Sequence, residues 1–297
     1  MKSNRMKMIY QMTPEEIDNF IKLVRKEKPN LRERVVAIAR RNLGQRYKIY
    51  LLGEFPFEIF DSDPLFSIKR GDCVVFSEHI YAMALAYDWR SFFALLQRIR
   101  YKNGEISLFT RNHHTLSDWN TNNSWLFKDI SEELAGKKSK ILIQKVNRSA
   151  FFKNRYNLKT KISLQVYKTK YIPADITGRV LNNLKDGDFV NVIRGIKGKD
   201  KYCGHVGLIG IGDTGTINFI HSTSPKSIEQ PLIEYMNNQL ALNKENIKKK
   251  KPLFWGFKFF RLREEPLKEL LKIDGPGAPI VTASKGLIRE MFKLSKK

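Results

Sequence analysis

The sequence predicts an α+β protein. Before about Ser139 the apolar residues recur at helical spacing, and after it they alternate between short turn signals. Helices first and a meandering antiparallel sheet afterwards is the arrangement such a pattern implies. A third observation places chemistry on that frame. Cys73, one of only two cysteines, follows Gly71-Asp72 and opens a long apolar run.

Residues 13–27 begin with a Thr N-cap, Pro at the first helical position and Glu16 at the third, a capping box that starts an amphipathic helix. Residues 31–43 read as a second helix stopped by Gly44. The aromatic stretch 47–70, with Pro56 and Pro64, reads as a loop wrapped over a core. Residues 73–87 carry Val74, Ile80, Tyr81 and Leu85 at helical spacing and form the expected central helix. A further helix over 91–100 leads into an irregular polar segment, 101–123. Strands are expected near 161–168, 188–194, 205–211, 216–222 and 254–262, with turns at Gly187-Asp188 and at 212–215. The lysine run 248–251 reads as an exposed loop, and 273–279 as a linker to a basic tail. The expected organisation is a helical extension, 1–34, a main domain, 35–263, and a linker with tail, 264–297.

Composition bounds the function classes. The 297 residues are 42% hydrophobic and 11% aromatic, ordinary for a globular chain with a substantial core. No stretch reaches ~18 consecutive apolar residues, so no membrane span is expected. The first twelve residues lack the apolar core of a signal peptide. A net charge of +24 favours anionic partners, yet the basic residues are scattered and no nucleic-acid-binding motif accompanies them. Nucleic acid is therefore not the expected partner. Two cysteines in different local settings make no disulfide framework.

A cysteine at a helix start meets unpaired N–H groups and the positive end of the macrodipole, which favour the thiolate. His205 and His221 sit in neighbouring strand candidates joined by the 212–215 turn, and counting outward could set them side by side across a hairpin. Thiol, imidazole and a group that fixes the imidazole together follow the logic of a catalytic triad. His79, two turns into the Cys73 helix, reads as structural or surface. Cys203 and His205 are two apart on one strand and are expected on one face, which permits a chelating pair. No second local pair completes a zinc site, so neither metal nor cofactor is expected.

Seven stretches carry a family resemblance: 43–47 (LGQRY), 71–78 (GDCVVFSE), 99–104 (IRYKNG), 111–119 (RNHHTLSDW), 186–190 (DGDFV), 204–208 (GHVGL) and 219–224 (FIHSTS). As a spaced set over about 35–262 they resemble the NlpC/p60 superfamily of papain-like cell-wall peptidases and amidases. More narrowly, they are similar to its N-acetylmuramoyl-L-alanine amidase-like branch. The family often has Thr where Val75 stands and Ala where Thr223 stands.

The resemblance implies a papain-like fold, with the nucleophile at a helix N-terminus packed on an antiparallel sheet. It implies Cys73 as nucleophile, His205 as general base, His221 as the orienting residue and Tyr47 beside the nucleophile as an oxyanion donor. Asn112, His113, Asp118 and Trp119 would shape the substrate groove. The implied substrate is a peptidoglycan fragment, and the implied location is the cell envelope or beyond; the absent leader leaves the cytoplasm open. Oligomeric state is not legible, with a monomer the simplest expectation.

The expected bond is that between N-acetylmuramic acid and L-alanine, with the γ-D-glutamyl–diamino acid bond of the stem peptide as second choice. A transferase using the same thioester remains open. A non-catalytic basic module holding wall polymer or nucleic acid is the reading from a different class, and an activated thiol would have no use in it.

Overall fold

The computed structural model describes residues 7–274. In chain order its main elements are α1 (Pro14–Glu27), α2 (Leu31–Arg40), β1 (Arg46–Tyr47), β2 (Arg70–Gly71), α3 (Cys73–Leu85) and α4 (Trp89–Arg100). Then come α5 (Asn120–Asn122), β3 (Phe127–Asp129), α6 (Ser131–Ala135), β4 (Lys140–Val146), α7 (Arg148–Tyr156), β5 (Gln165–Pro173) and α8 (Ala174–Thr177). The chain ends in β6 (Phe189–Gly195), β7 (Lys201–Ile211), β8 (Ile217–Ser222), β9 (Ser227–Pro231), α9 (Leu232–Lys248), β10 (Leu253–Leu262) and α10 (Pro266–Asp274). The fold is α+β, as expected. By its packing the chain divides into two units, one built on residues up to 111 with 220–229, the other on 112–219 and 230–269.

The first unit is helical. Helix α1 starts in the expected capping box: Glu16 N–H donates to Thr13 Oγ1 at 3.2 Å, and Thr13 N–H to Glu16 Oε2 at 2.9 Å. Asn30 caps α2 by accepting the N–H groups of Arg32 and Glu33, and Asp88 caps α4 by accepting that of Ser91. Helix α3 has no polar face: from Val75 to Leu85 every side chain is buried, Ser77, Glu78 and His79 included. Such a helix is stable only in the centre of a core.

A buried polar network supports the loop between β1 and β2. Arg100 donates to the Leu52 carbonyl at 3.1 Å, and the Tyr101 hydroxyl to Glu54 Oε1 at 2.9 Å. Arg111 reaches the Leu52 carbonyl at 2.9 Å and Asp61 Oδ2 at 2.8 Å. Burial raises the Glu54 carboxyl above the usual carboxylate range, and the guanidinium groups of Arg111 and Arg100 offset only part of that rise.

The second unit is built on an antiparallel sheet ordered β4-β5-β10-β6-β7-β8, with β3 added on β10. One face carries the main cluster, which includes Val190, Val192, Ile209, Phe219, Tyr235, Phe257 and Phe259. The other face holds a smaller cluster of Leu116, Leu142, Tyr171 and Ile193, with Cys203 against it.

Several boundaries differ from expectation. Helix α2 ends at Arg40, because residues 41–44 form a turn closed by Gly44 at φ 87°. Strand β5 runs from 165 to 173, not 161 to 168, since its buried side chains are Tyr171 and Ile172. Strand β4 and helices α7 and α9 were not expected. Helix α9 is the largest omission: Asn237, Asn238, Asn243 and Asn246 give it weak helix propensity, and only Leu232, Tyr235 and Met236 are buried. The linker and tail expected at 264–297 lie, beyond 274, outside the described residues.

Candidate active site

Cys73 is the first residue of α3 and is half-buried. Asp72 caps the helix, its Oδ1 accepting the N–H groups of Val74 and Val75, each at 2.9 Å. That cap fixes the first turn, so the thiol sits where helix N–H groups and dipole favour negative charge.

Tyr47 comes to the same place by a different route. Strands β1 and β2 pair in parallel with Tyr47 opposite Gly71, two residues before the cysteine. Burial, then the proximity of Cys73 and Asp72, push the Tyr47 phenol up to about 12. Near neutral pH it is therefore a hydroxyl donor. The 220–229 segment is stitched to the same strands: Ser222 Oγ donates to the Gly71 carbonyl at 2.8 Å, and Tyr47 N–H to the Pro225 carbonyl at 2.9 Å. Ser227 Oγ donates to the Asn42 carbonyl at 2.8 Å and accepts from Gln45 N–H at 3.0 Å. The first unit thus brings Cys73, Tyr47 and the strand end bearing His221 together around Gly71.

His221 is 2% exposed, and burial pulls its imidazole down to about 4. It is neutral through the physiological range. His79 is structural and buried, not surface: its Nδ1 lies 2.7 Å from the Val75 carbonyl, and its Nε2 accepts Ser67 N–H at 3.4 Å. Those two partners require the neutral ring with the proton on Nδ1.

His205 belongs to the second unit and reaches its position through a β-bulge. Between β6 and β7, Val192 pairs with His205 and Ile193 with Cys203, so Gly204 is the extra residue. Val192 and Ile193 are consecutive and face opposite sides of the sheet. Their partners do too, which corrects the expectation that Cys203 and His205 share a face. The surroundings agree. Cys203 packs on the Leu116–Ile193 side, whereas His205 meets Phe219 at 5.9 Å and Tyr235 at 6.4 Å between ring centroids. A chelating Cys203–His205 pair is thereby ruled out by geometry. Burial pushes the Cys203 thiol up to about 12, making it inert as a nucleophile. Among the described residues no group of three or more His, Cys, Asp or Glu could hold a metal ion.

The 112–119 segment is also in the second unit, and its residues divide by burial. Trp119 is 1% exposed and packs on Phe189 and Phe127 at centroid distances of 4.5 and 5.8 Å, a core position. Asp118 accepts both guanidinium nitrogens of Arg148, and His114 N–H at 3.0 Å. Burial opposes its charge, but Arg148 and His114 hold the carboxyl well below the usual range. Asn112 accepts from Asn122 Nδ2 at 2.6 Å. His113 is half-buried against Phe151, 4.8 Å between centroids. Asp118 and Trp119 therefore brace this segment, and Asn112 and His113 are its more accessible members.

The Gly204 bulge escaped the sequence reading, although Cys-Gly-His within a strand is where a bulge would be sought. Lys258 escaped it too. Its side chain is fully buried in β10 and donates to Asp129 Oδ2 at 2.5 Å, Thr169 Oγ1 at 2.9 Å and the Lys170 carbonyl at 2.5 Å.

A family model described as AmiA-like, N-acetylmuramoyl-L-alanine amidase-like, matches residues 37–242. No curated protein sequence matches the chain. Solved structures do. One, a protein from Legionella pneumophila, has 19% identity and a TM-score of 0.69, over 84% of this chain and 95% of its own. An N-acetylmuramoyl-L-alanine amidase from Bacteroides uniformis has 19% identity and a TM-score of 0.59, over 78% of this chain and 99% of its own. A Bacteroides fragilis structure with a provisional xylanase name has 22% identity and a TM-score of 0.55, over 75% of this chain and 98% of its own. At these identities the likeness is one of fold.

Proposed function

The chain belongs to the N-acetylmuramoyl-L-alanine amidase-like family, and on that premise we propose that it is a cysteine amidase acting on peptidoglycan. The bond cleaved is that between N-acetylmuramic acid and L-alanine. The observation that carries this reading is Cys73 at the capped start of α3, with Tyr47 held opposite Gly71, inside the matched residues.

The chemistry follows from the groups. The Cys73 thiolate attacks the amide carbonyl carbon, and negative charge develops on its oxygen. The Tyr47 hydroxyl and the Cys73 N–H are the donors for that charge. His205 takes the thiol proton and delivers it to the leaving amine; a water activated by the same imidazole then hydrolyses the thioester. His221, neutral because it is buried, orients His205 without adding a competing cation. Asn112 and His113 contact the substrate. In this reading the hydrolase domain spans 35–263 behind a helical extension, its fold is papain-like in the NlpC/p60 sense, and the enzyme works in the cell envelope.

The test is mass spectrometry of purified muropeptides, with and without the sugar, incubated with wild type and Cys73→Ala under reducing conditions. Release of an intact stem peptide by wild type alone is expected. A truncated muropeptide would replace the amidase with a γ-D-glutamyl endopeptidase, and equal turnover by Cys73→Ala would remove the thiol from the mechanism.

A further inference from the structure

The β4–β5 hairpin has two faces of opposite character. In its register Ile141 pairs with Lys170, Ile143 with Lys168 and Lys145 with Val166, and these six alternate with the residues that face the core. The inward set includes Leu142, Val146 and Tyr171, all at most 3% exposed. The outward set holds three aliphatic and three cationic side chains. Ile141 is 53% exposed, Ile143 44% and Val166 63%, and Leu164, just before the strand, 57%. Lys145 and Lys168 are exposed, while half-buried Lys170 pairs with Glu132 at 2.5 Å. The other acids at its margins are Asp129, bound to Lys258, and Asp200, which accepts the backbone N–H of Lys145 at 3.0 Å. Neither carboxylate is paired to the exposed ammonium groups in these contacts.

We propose that this face docks on an anionic lipid bilayer. A polyanion in water would satisfy the ammonium groups and leave four aliphatic side chains wet. A bilayer surface satisfies both, because lysines reach the phosphate headgroups while aliphatic side chains enter the acyl boundary. Strand β4 ends the sheet order, and lysines on such an edge also discourage strand addition by another chain. The edge is therefore suited to a surface and not to a second strand. The inference goes beyond the amidase reading and is independent of it, since it is read by binding and not by turnover.

The experiment is cosedimentation of the full chain with vesicles of phosphatidylglycerol and phosphatidylcholine, and with pure phosphatidylcholine, at about 0.1 M salt. Three paired variants share the assay: Ile143→Ser with Val166→Ser, Lys145→Gln with Lys168→Gln, and a remote control, Lys248→Gln with Lys251→Gln. Binding to the anionic vesicles alone is expected. Each hairpin pair should raise the lipid needed for half-binding by roughly tenfold or more, and the remote pair by less than about twofold. Melting curves for each variant separate lost binding from lost folding. Absence of binding to anionic vesicles overturns the proposal. So does an equal loss from the remote pair, which would reduce the effect to net charge. An apolar pair without effect would also overturn it, in favour of a soluble polyanion.

Discussion

Gly204→Ala tests the bulge that places His205. A Cβ built on Gly204 would stand 2.5 Å from Arg194 Cδ, 3.0 Å from its Cγ and 3.2 Å from its Cβ. Arg194 is not free to leave at no cost, since its Nη2 donates to Gln239 Oε1 of α9 at 2.5 Å. If the guanidinium swings away, a charge-assisted bond worth about 1.5–3 kcal/mol is given up. If instead β7 moves, the overpacking costs about 1–3 kcal/mol. Both routes give a loss of ~1–3 kcal/mol, read as a lower denaturation midpoint with unchanged slope. Arg194→Ala removes the obstruction, so the double variant should be less destabilised than the sum of the singles by at least ~1 kcal/mol. A Gly204→Ala loss below ~0.5 kcal/mol, or additivity with Arg194→Ala, would refute the steric account of this glycine.

Stability should fall with acid. His79 is pulled by burial from 6.5 to about 4, so between those values the unfolded chain binds a proton that the folded chain refuses. The contribution is complete above pH 6.5 and is lost toward pH 4, by up to ~3 kcal/mol; His221 acts in the same direction. Denaturation across that range should show the slope, His79→Leu should flatten it, and a level wild-type profile would contradict it. At Lys258 the two partners should differ. Lys258→Met keeps volume and leaves Asp129, 40% exposed, able to rehydrate, so a change within ~1 kcal/mol is expected. Asp129→Asn strands a buried ammonium and should cost about 3–5 kcal/mol; the reverse order in a denaturation series would sink the argument. Tyr47→Phe should lower turnover of the amide by ~10²–10³ with little change in melting temperature, and unaltered turnover would remove the phenol as an oxyanion donor.

How much of this was legible depended on whether the information was local. The cap of α1 was readable because Thr13 and Glu16 act within three residues of each other, and the start of α3 at Cys73 was readable from the Gly71-Asp72 break before it. The alternation of β6, β7, β8 and β10 was readable for the same reason. The bulge was not, because only the pairing with Val192 and Ile193 reveals that Gly204 has no opposite number. The same holds for Lys258, a charge inside a run of aromatic residues, whose partners come from β3 and β5. At the candidate site, residue identities were local but their assembly was not. Nothing before position 100 announces that Gly71 will receive the hydroxyl of Ser222.

The network beneath the β1–β2 loop has a kinetic consequence. Gly53, Glu54 and Phe55 give their amide protons to the carbonyls of Pro64, Asp61 and Asp63, while Arg100, Tyr101 and Arg111 anchor the same stretch from below. Opening it would break the backbone bonds and expose Glu54, fully buried, and its guanidinium partners together. Those amides should therefore exchange with solvent deuterium as one cooperative group, on the slow timescale of α3 and α4 and not on that of a surface loop. The outward residues Phe57, Ile59 and Phe60 are then carried on a fixed support, so that exposed aromatic surface would keep its shape instead of fluctuating with the loop.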